Sequence, residues 1–206
     1  MTDSIALFSK NYKLYISIFL IWLVNLSGMI GICLGHKDWF LPKTPFNLVL
    51  CTLLLIWNFP PKNGWKSFSI WTIAYLTGMI AEGLGANYGL IFGDYTYGEN
   101  LGLKVFSVPL LIGINWVILT FSTAYISRLI LKTRLLSSIS GAILMVIMDV
   151  ILEPIAPVLD FWYWHPHASS APLQNFIAWF IIGFALQMLC FKELPKQRNL
   201  LPLHLY

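Results

Sequence analysis

The sequence predicts an all-α integral membrane protein, a single domain of about six transmembrane helices over residues 1–206. Of its 206 residues, 58% are hydrophobic and 11% charged, where a soluble domain carries about 25% charge. The charges are confined to short patches between apolar runs, most of them near the ~20 residues that cross a bilayer. Helices follow because lipid offers no partner to backbone N–H and C=O groups, so each segment satisfies its own.

The first span is read at 14–34, LYISIFLIWLVNLSGMIGICL. Its length and the lack of an A-x-A exit argue against a cleaved signal peptide. The second, 45–60, is short. The third is placed at 67–87, the fourth at 106–127, the fifth at 137–157 and the sixth at 173–191. Ser27, Gly31 and Gly35 repeat every four residues along the first span, a stripe suited to helix packing. Cys33, Cys51 and Cys190 have no paired spacing and read as buried small apolar residues.

With six spans both termini share a side. That side holds ten cations, Lys10, Lys13, Lys62, Lys66, Arg128, Lys132, Arg134, Lys192, Lys196 and Arg198, against three, Lys37, Lys43 and Lys104, on the other. The split places the termini in the cytoplasm of a multi-pass cell (inner) membrane protein. It also explains the net charge of +4 without a nucleic-acid partner, since the cations are dispersed over several short segments.

The unusual residues are acids inside apolar runs. Glu82 lies in GMIAEGLG, and Asp149 and Glu153 lie in MDVILEPIAP, one helical turn apart on one face. An acid at the centre of a membrane helix costs roughly 2.5–3.5 kcal/mol, and such residues point to function. Topology brings all three to the outer half of the membrane. Asn115 and Asn175 fall at similar depth. So do two aromatic loops, 88–106 with Asp94 in FGDYTYG and 158–172 with FWYWHPH. Asp94 is a fourth candidate acid and also a natural turn residue. Loop acids such as Glu99 and Asp38 read as solvated, and outer Tyr and Trp also suit an interfacial aromatic belt.

A weak internal echo supports a paired arrangement. Pro109, Leu110, Trp116 and Phe121 recur at a constant offset as Pro172, Leu173, Trp179 and Phe184. Spans three–four and five–six would then be related hairpins, each with an ascending helix bearing acid, an aromatic loop and a descending helix opened by Pro, facing one cavity.

Several chemistries find no signal. There is no G-x-G-x-x-G for a dinucleotide. Four histidines are too few for a histidine-rich diiron site, and His165-Pro-His167 is a weak metal motif. Asp149-x-x-x-Glu153 is a single acidic pair without the basic partners a magnesium diphosphate would need. No cofactor or metal is expected. What remains is carboxyls in an apolar, aromatic setting. A carboxyl removed from water favours its neutral form and can act as a general acid. Aromatic faces stabilise positive charge by ~0.5–2 kcal/mol. That pairing suits carbocation chemistry on an alkene dissolved in lipid.

These residues resemble a family. Phe92-Gly93-x-Tyr95-x-Tyr97, Leu101-Gly102-x-Lys104-x-Phe106-x-Val108-Pro109-Leu110 with Trp116, Asp149-x-x-x-Glu153-Pro154, Trp162-x-Trp164 and Pro172-Leu173-x-Asn175-x-x-x-Trp179 are similar, in order and spacing over residues 75–190, to the membrane carotenoid-biosynthesis family that includes the γ-carotene and bisanhydrobacterioruberin hydratases. Two positions depart from its pattern: Glu153 stands where Asp is expected, and Ala178 where Gly is expected. The resemblance implies a hydratase without a cofactor, adding water to the terminal C1=C2 bond of a carotenoid ψ-end such as that of lycopene or γ-carotene, with carotenoid, water and lipid as partners. On that reading Asp149 is the proton donor and Glu82 or Glu153 orients the water, with Asp94 a further candidate acid. Tyr95, Tyr97, Trp162, Trp164, Trp116 and Trp179 contact the substrate, and Asn115 and Asn175 orient the acids. The alternatives are a lycopene-type cyclase beginning with the same protonation, and a carotenoid- or lipid-binding or transport protein.

Overall fold

A computed structural model of the protein describes residues 2–60, 65–165, 170–194 and 199–206, with 2–11 and 65–67 described by backbone alone. Lys62, Lys196, Arg198 and His167 lie outside the described residues.

The chain is predominantly helical. Helix α1 spans Thr2–Cys33 and ends at Gly35, whose φ of +88° is a left-handed conformation that glycine adopts without strain. Of the small-residue stripe, Gly31 is the position that packs, receiving the ring of Phe40. Next come α2 (Lys37–Phe40), a 3₁₀ turn (Leu41–Lys43) and α3 (Thr44–Asn58). These three pieces make one apolar rod of 22 residues, Lys37–Asn58. The second span is therefore of full length. Its charged first turn and Pro42 hid it, although Pro sits naturally in the first turn of a helix.

Helix α4 spans Trp65–Tyr88, α5 Leu110–Ile130, α6 Arg134–Leu152, α7 Leu173–Cys190 and α8 Leu201–Leu205. Among the described residues five segments are long and apolar enough to cross a membrane, in the region of α1, α2–α3, α5, α6 and α7. Helix α4 is 24 residues long, but Glu82 and Asn87 dilute its apolar character. Helix α5 is central, with 72% of its span buried against 17% for α1. It is flanked by α3, α4, α6 and α8, and α6 packs along α7. Cys51 and Cys190 are buried, while Cys33 is exposed at the end of α1.

The fourth span begins later, and the fifth ends earlier, than the hydropathy suggests. Residues 104–109 form a hairpin, β2 (Lys104–Val105) against β3 (Val108–Pro109), before α5 begins. Its turn residues Phe106 and Ser107 have φ of +50° and +62°, a conformation that side chains with a Cβ resist. Asn87 holds them there: its Nδ2 donates to the Phe106 carbonyl at 2.9 Å, and Ser107 Oγ donates to its Oδ1 at 2.8 Å. Asn87→Ala should lower stability by about 1 kcal/mol, measurable as an earlier thermal midpoint in detergent. Helix α6 stops at Leu152, and 153–160 continues as turns. A second ladder pairs β1 (Tyr95–Tyr97) antiparallel with β4 (Trp162–Trp164), with Tyr95 opposite Trp164 and Tyr97 opposite Trp162. The period-2 geometry of a strand turns these four side chains to one face and Thr96 and Tyr163 to the other. The ladder joins the α4–α5 hairpin to the α6–α7 hairpin at the end of the bundle where α4 and α6 finish.

The residues of the sequence echo meet in space. Pro109 and Pro172 each cap the following helix, and Trp116 stacks on Trp179 with centroids 4.2 Å apart and planes 12° from parallel. Gly78 on α4 permits this, because a Cβ there would strike the Trp116 indole.

Candidate active site

Under the β1–β4 ladder lies a small cavity of about 40 Å³, enough for roughly two or three waters. Tyr95, Tyr97, Trp162 and Trp164 form one side. Phe92, Trp116 and Trp179 form another. Glu82 from α4, Asp149 and Glu153 from the end of α6, Asn115 from α5 and Asn175 from α7 reach into it, with Ile112, Leu119 and Leu152 completing the lining.

The carboxyls differ in how they are held. Glu82 is buried and accepts three hydrogen bonds: from Tyr95 Oη at 2.5 Å and Tyr97 Oη at 2.7 Å on Oε2, and from Trp116 Nε1 at 3.0 Å on Oε1. Burial first, and the Glu82 charge second, push the Tyr95 and Tyr97 phenols well above their ordinary range, so both remain protonated donors. Glu153 is half-buried; its Oε2 accepts from Trp164 Nε1 at 2.6 Å and Trp162 Nε1 at 3.4 Å. Indole N–H groups only donate, so these oxygens must accept. Asp149 is buried and takes one bond, from Asn175 Nδ2 to Oδ2 at 2.6 Å. Among the described residues Asp149 Oδ1 and Glu153 Oε1 have no hydrogen-bond partner.

Asn175 orients Asp149, as expected of it. Asn115 bonds no acid, and its amide faces the cavity without a side-chain partner among the described residues. Asp94 is placed elsewhere. It is exposed, its carbonyl accepts from the His165 amide at 2.9 Å, and it lies where the chain enters β1, so strand formation turns it away from the cavity. His165 is exposed and pairs with Thr96 Oγ1 at 3.0 Å. Among the described residues no three His, Cys, Asp or Glu are grouped to hold a metal. Ile112, Leu119 and Leu152 also line the cavity and were not singled out from sequence, and Phe92, quoted there only within a motif, joins them. Ile112, Asn115, Trp116 and Leu119 occupy i, i+3, i+4 and i+7 of α5, a single face whose periodicity was the available signal.

The aromatic shell is continuous. Tyr95 lies 5.1 Å from Trp164 and 5.5 Å from Tyr97, and Phe92 stands 6.4 Å from Trp116. Such a chamber can place a proton and a water against an apolar group while its ring faces stabilise a cation.

A bisanhydrobacterioruberin hydratase from Haloarcula japonica is 29% identical over 113 residues, which covers 50% of this chain and 37% of that protein. The chain thus matches well under half of that relative's length. No solved structure matches. The family model described as carotenoid biosynthesis protein matches residues 44–203, a stretch that contains every residue of the cavity. The chain belongs to this family of carotenoid-biosynthesis membrane proteins.

Proposed function

We propose that the protein is a carotenoid hydratase that adds water across the terminal C1=C2 bond of a ψ-end. The observation that carries the reading is the unequal saturation of three carboxyls around one aromatic cavity. Asp149 is buried and has an oxygen with no partner among the described residues, so it is the proton donor. Its proton goes to C2, the alkene π electrons form the new C–H bond, and a tertiary cation remains at C1 beside the aromatic walls. A water held by the free Asn115 amide and by Glu153 attacks C1. Glu153 takes the water's proton and leaves a tertiary alcohol, and that proton returns to Asp149. Alkene and water are consumed in equal number, with no redox change and no cofactor. Glu82, filled by three donors, fixes the aromatic walls. The hydratase named above supports water rather than internal ring closure as the quencher of the cation.

We also assign both termini to the cytoplasm of the cell (inner) membrane. Arg128, Lys132, Arg134 and Lys192 support this, since they lie at the end of the bundle opposite the cavity, where Arg134 donates to the Met188 carbonyl of α7 and Arg128 to the Phe191 and Leu194 carbonyls just beyond it.

Expression in a bacterium that makes lycopene or γ-carotene tests the function. The extracted pigment should gain the mass of one water and become more polar. Its visible spectrum should stay nearly unchanged, because C1=C2 lies outside the conjugated system. Pigment altered in its ring count at constant mass would show a cyclase. Unaltered pigment beside folded protein would reject both.

A further inference from the structure

A second, larger space lies beside the cavity. It is an open groove of about 510 Å³ on the outward face of α7, running from Leu173 to Ile182 past Gln174, Ile177, Ala178 and Ile181, with Ile91 from the loop before β1. Leu173 and Ile182 are separated by about 14 Å of helix. Ile177 and Ile181 are exposed on the face that meets lipid.

Groove and cavity share their partition. Ile91 faces the groove and Phe92 the cavity; Gln174 faces the groove and Asn175 the cavity; Ala178 faces the groove and Trp179 the cavity. One layer of side chains therefore separates an apolar trough from the carboxyls. The loop in that layer is held in an unusual conformation. Gly89, Ile91 and Gly93 all have positive φ, +64°, +68° and +121°, and for a β-branched residue this is strained. Gln174 Nε2 latches the loop by donating to the Ile91 carbonyl at 3.1 Å. The cavity holds only a few waters as it stands, so any alkene end must displace part of this layer.

We propose that the α7 groove binds the polyene body of the substrate, and that Ile91–Phe92 is the gate through which its end group reaches Asp149. This rests on the carotenoid reading above. The occupant is a long apolar rod, because the trough has hardly any polar lining, opens towards lipid and lies one layer of side chains from the cavity. A rod with one end at Asp149 must leave the cavity along some wall, and this is the wall with an apolar trough behind a single layer.

The test uses the full chain in lipid nanodiscs loaded with lycopene. Binding is read as induced circular dichroism of the polyene, and turnover as product mass. Ile177→Trp, at a site exposed to lipid that tolerates a larger ring, and Ala178→Phe, which fills the floor, should each weaken binding about tenfold, equivalent to about 1.4 kcal/mol. Asp149→Asn should bind like the unaltered protein and give no product. If both filling variants bind and turn over lycopene normally, the groove proposal is overturned, whatever the fate of the hydratase reading. If the unaltered protein binds the polyene in a groove-dependent way yet adds no water, the groove stands and the hydratase reading fails. If the unaltered protein shows no polyene signal at all, the groove proposal falls as well.

Discussion

Asp149→Asn should reduce hydration by about 10²- to 10⁴-fold, the usual contribution of a positioned general acid, while leaving the protein folded. The two side chains have the same shape. The Asn175 Nδ2 donor, 2.6 Å from Asp149 Oδ2, still finds a carbonyl oxygen in the variant, so no buried group loses its partner. What disappears is a transferable proton on the oxygen that faces the cavity. Product formation per folded protein, measured by pigment mass in membranes, is the readout. Full activity would remove Asp149 from the proton-donor role and pass it to Glu153, the remaining carboxyl with an unpartnered oxygen. The loss should appear in kcat more than in KM, since the proton moves in the transition state rather than on binding.

Glu82→Ala should have the largest effect on stability. It strips the acceptor from three donors at once: the Tyr95 and Tyr97 hydroxyls and the Trp116 indole N–H. A buried donor left without a partner costs about 1–3 kcal/mol. The three losses share one cavity and are not additive, so a total of about 3 kcal/mol or more is expected. It should be visible as a marked fall in the thermal midpoint of detergent-solubilised protein followed by tryptophan fluorescence. Trp116 should also leave its stack on Trp179, which changes the same fluorescence. Glu82→Gln, which keeps one carbonyl acceptor, should lose about half as much. Equal midpoints for Glu82→Ala and the unaltered protein would mean that Glu82 does not organise the walls.

The spans were legible because apolar runs of bilayer length have few readings, and the acids because burial in lipid is expensive. Trp116 and Trp179 were legible as a repeat, and their stacking gives that repeat a physical meaning. The short strands were harder to see. Tyr95-x-Tyr97 and Trp162-x-Trp164 alternate as strands do, but segments of three residues are set by their partner, not by themselves. The Phe106–Ser107 turn lacks the Asn-Gly or Asp-Gly signature of its class, because its support comes from Asn87, nineteen residues earlier in the chain. Leu119 and Leu152 were invisible for a simpler reason: an apolar residue that lines a site looks like any other in a chain that is 58% hydrophobic. Asp94 misled because an acid in an aromatic loop carries the same composition signal whether it faces the cavity or the water.

The narrowness of the carboxyl cavity has a stereochemical consequence. A planar C1=C2 unit held between the tyrosine–tryptophan ladder and the Trp116–Trp179 pair has no room to turn over. Asp149 and Glu153 are fixed by their own hydrogen bonds, so each meets the alkene from a set direction. On the hydratase reading the two faces of the double bond become inequivalent, although the alcohol carbon, with its two methyl groups, is not itself stereogenic. In heavy water the deuteron would then enter C2 from one side only, and the CHD centre so formed would be of a single handedness.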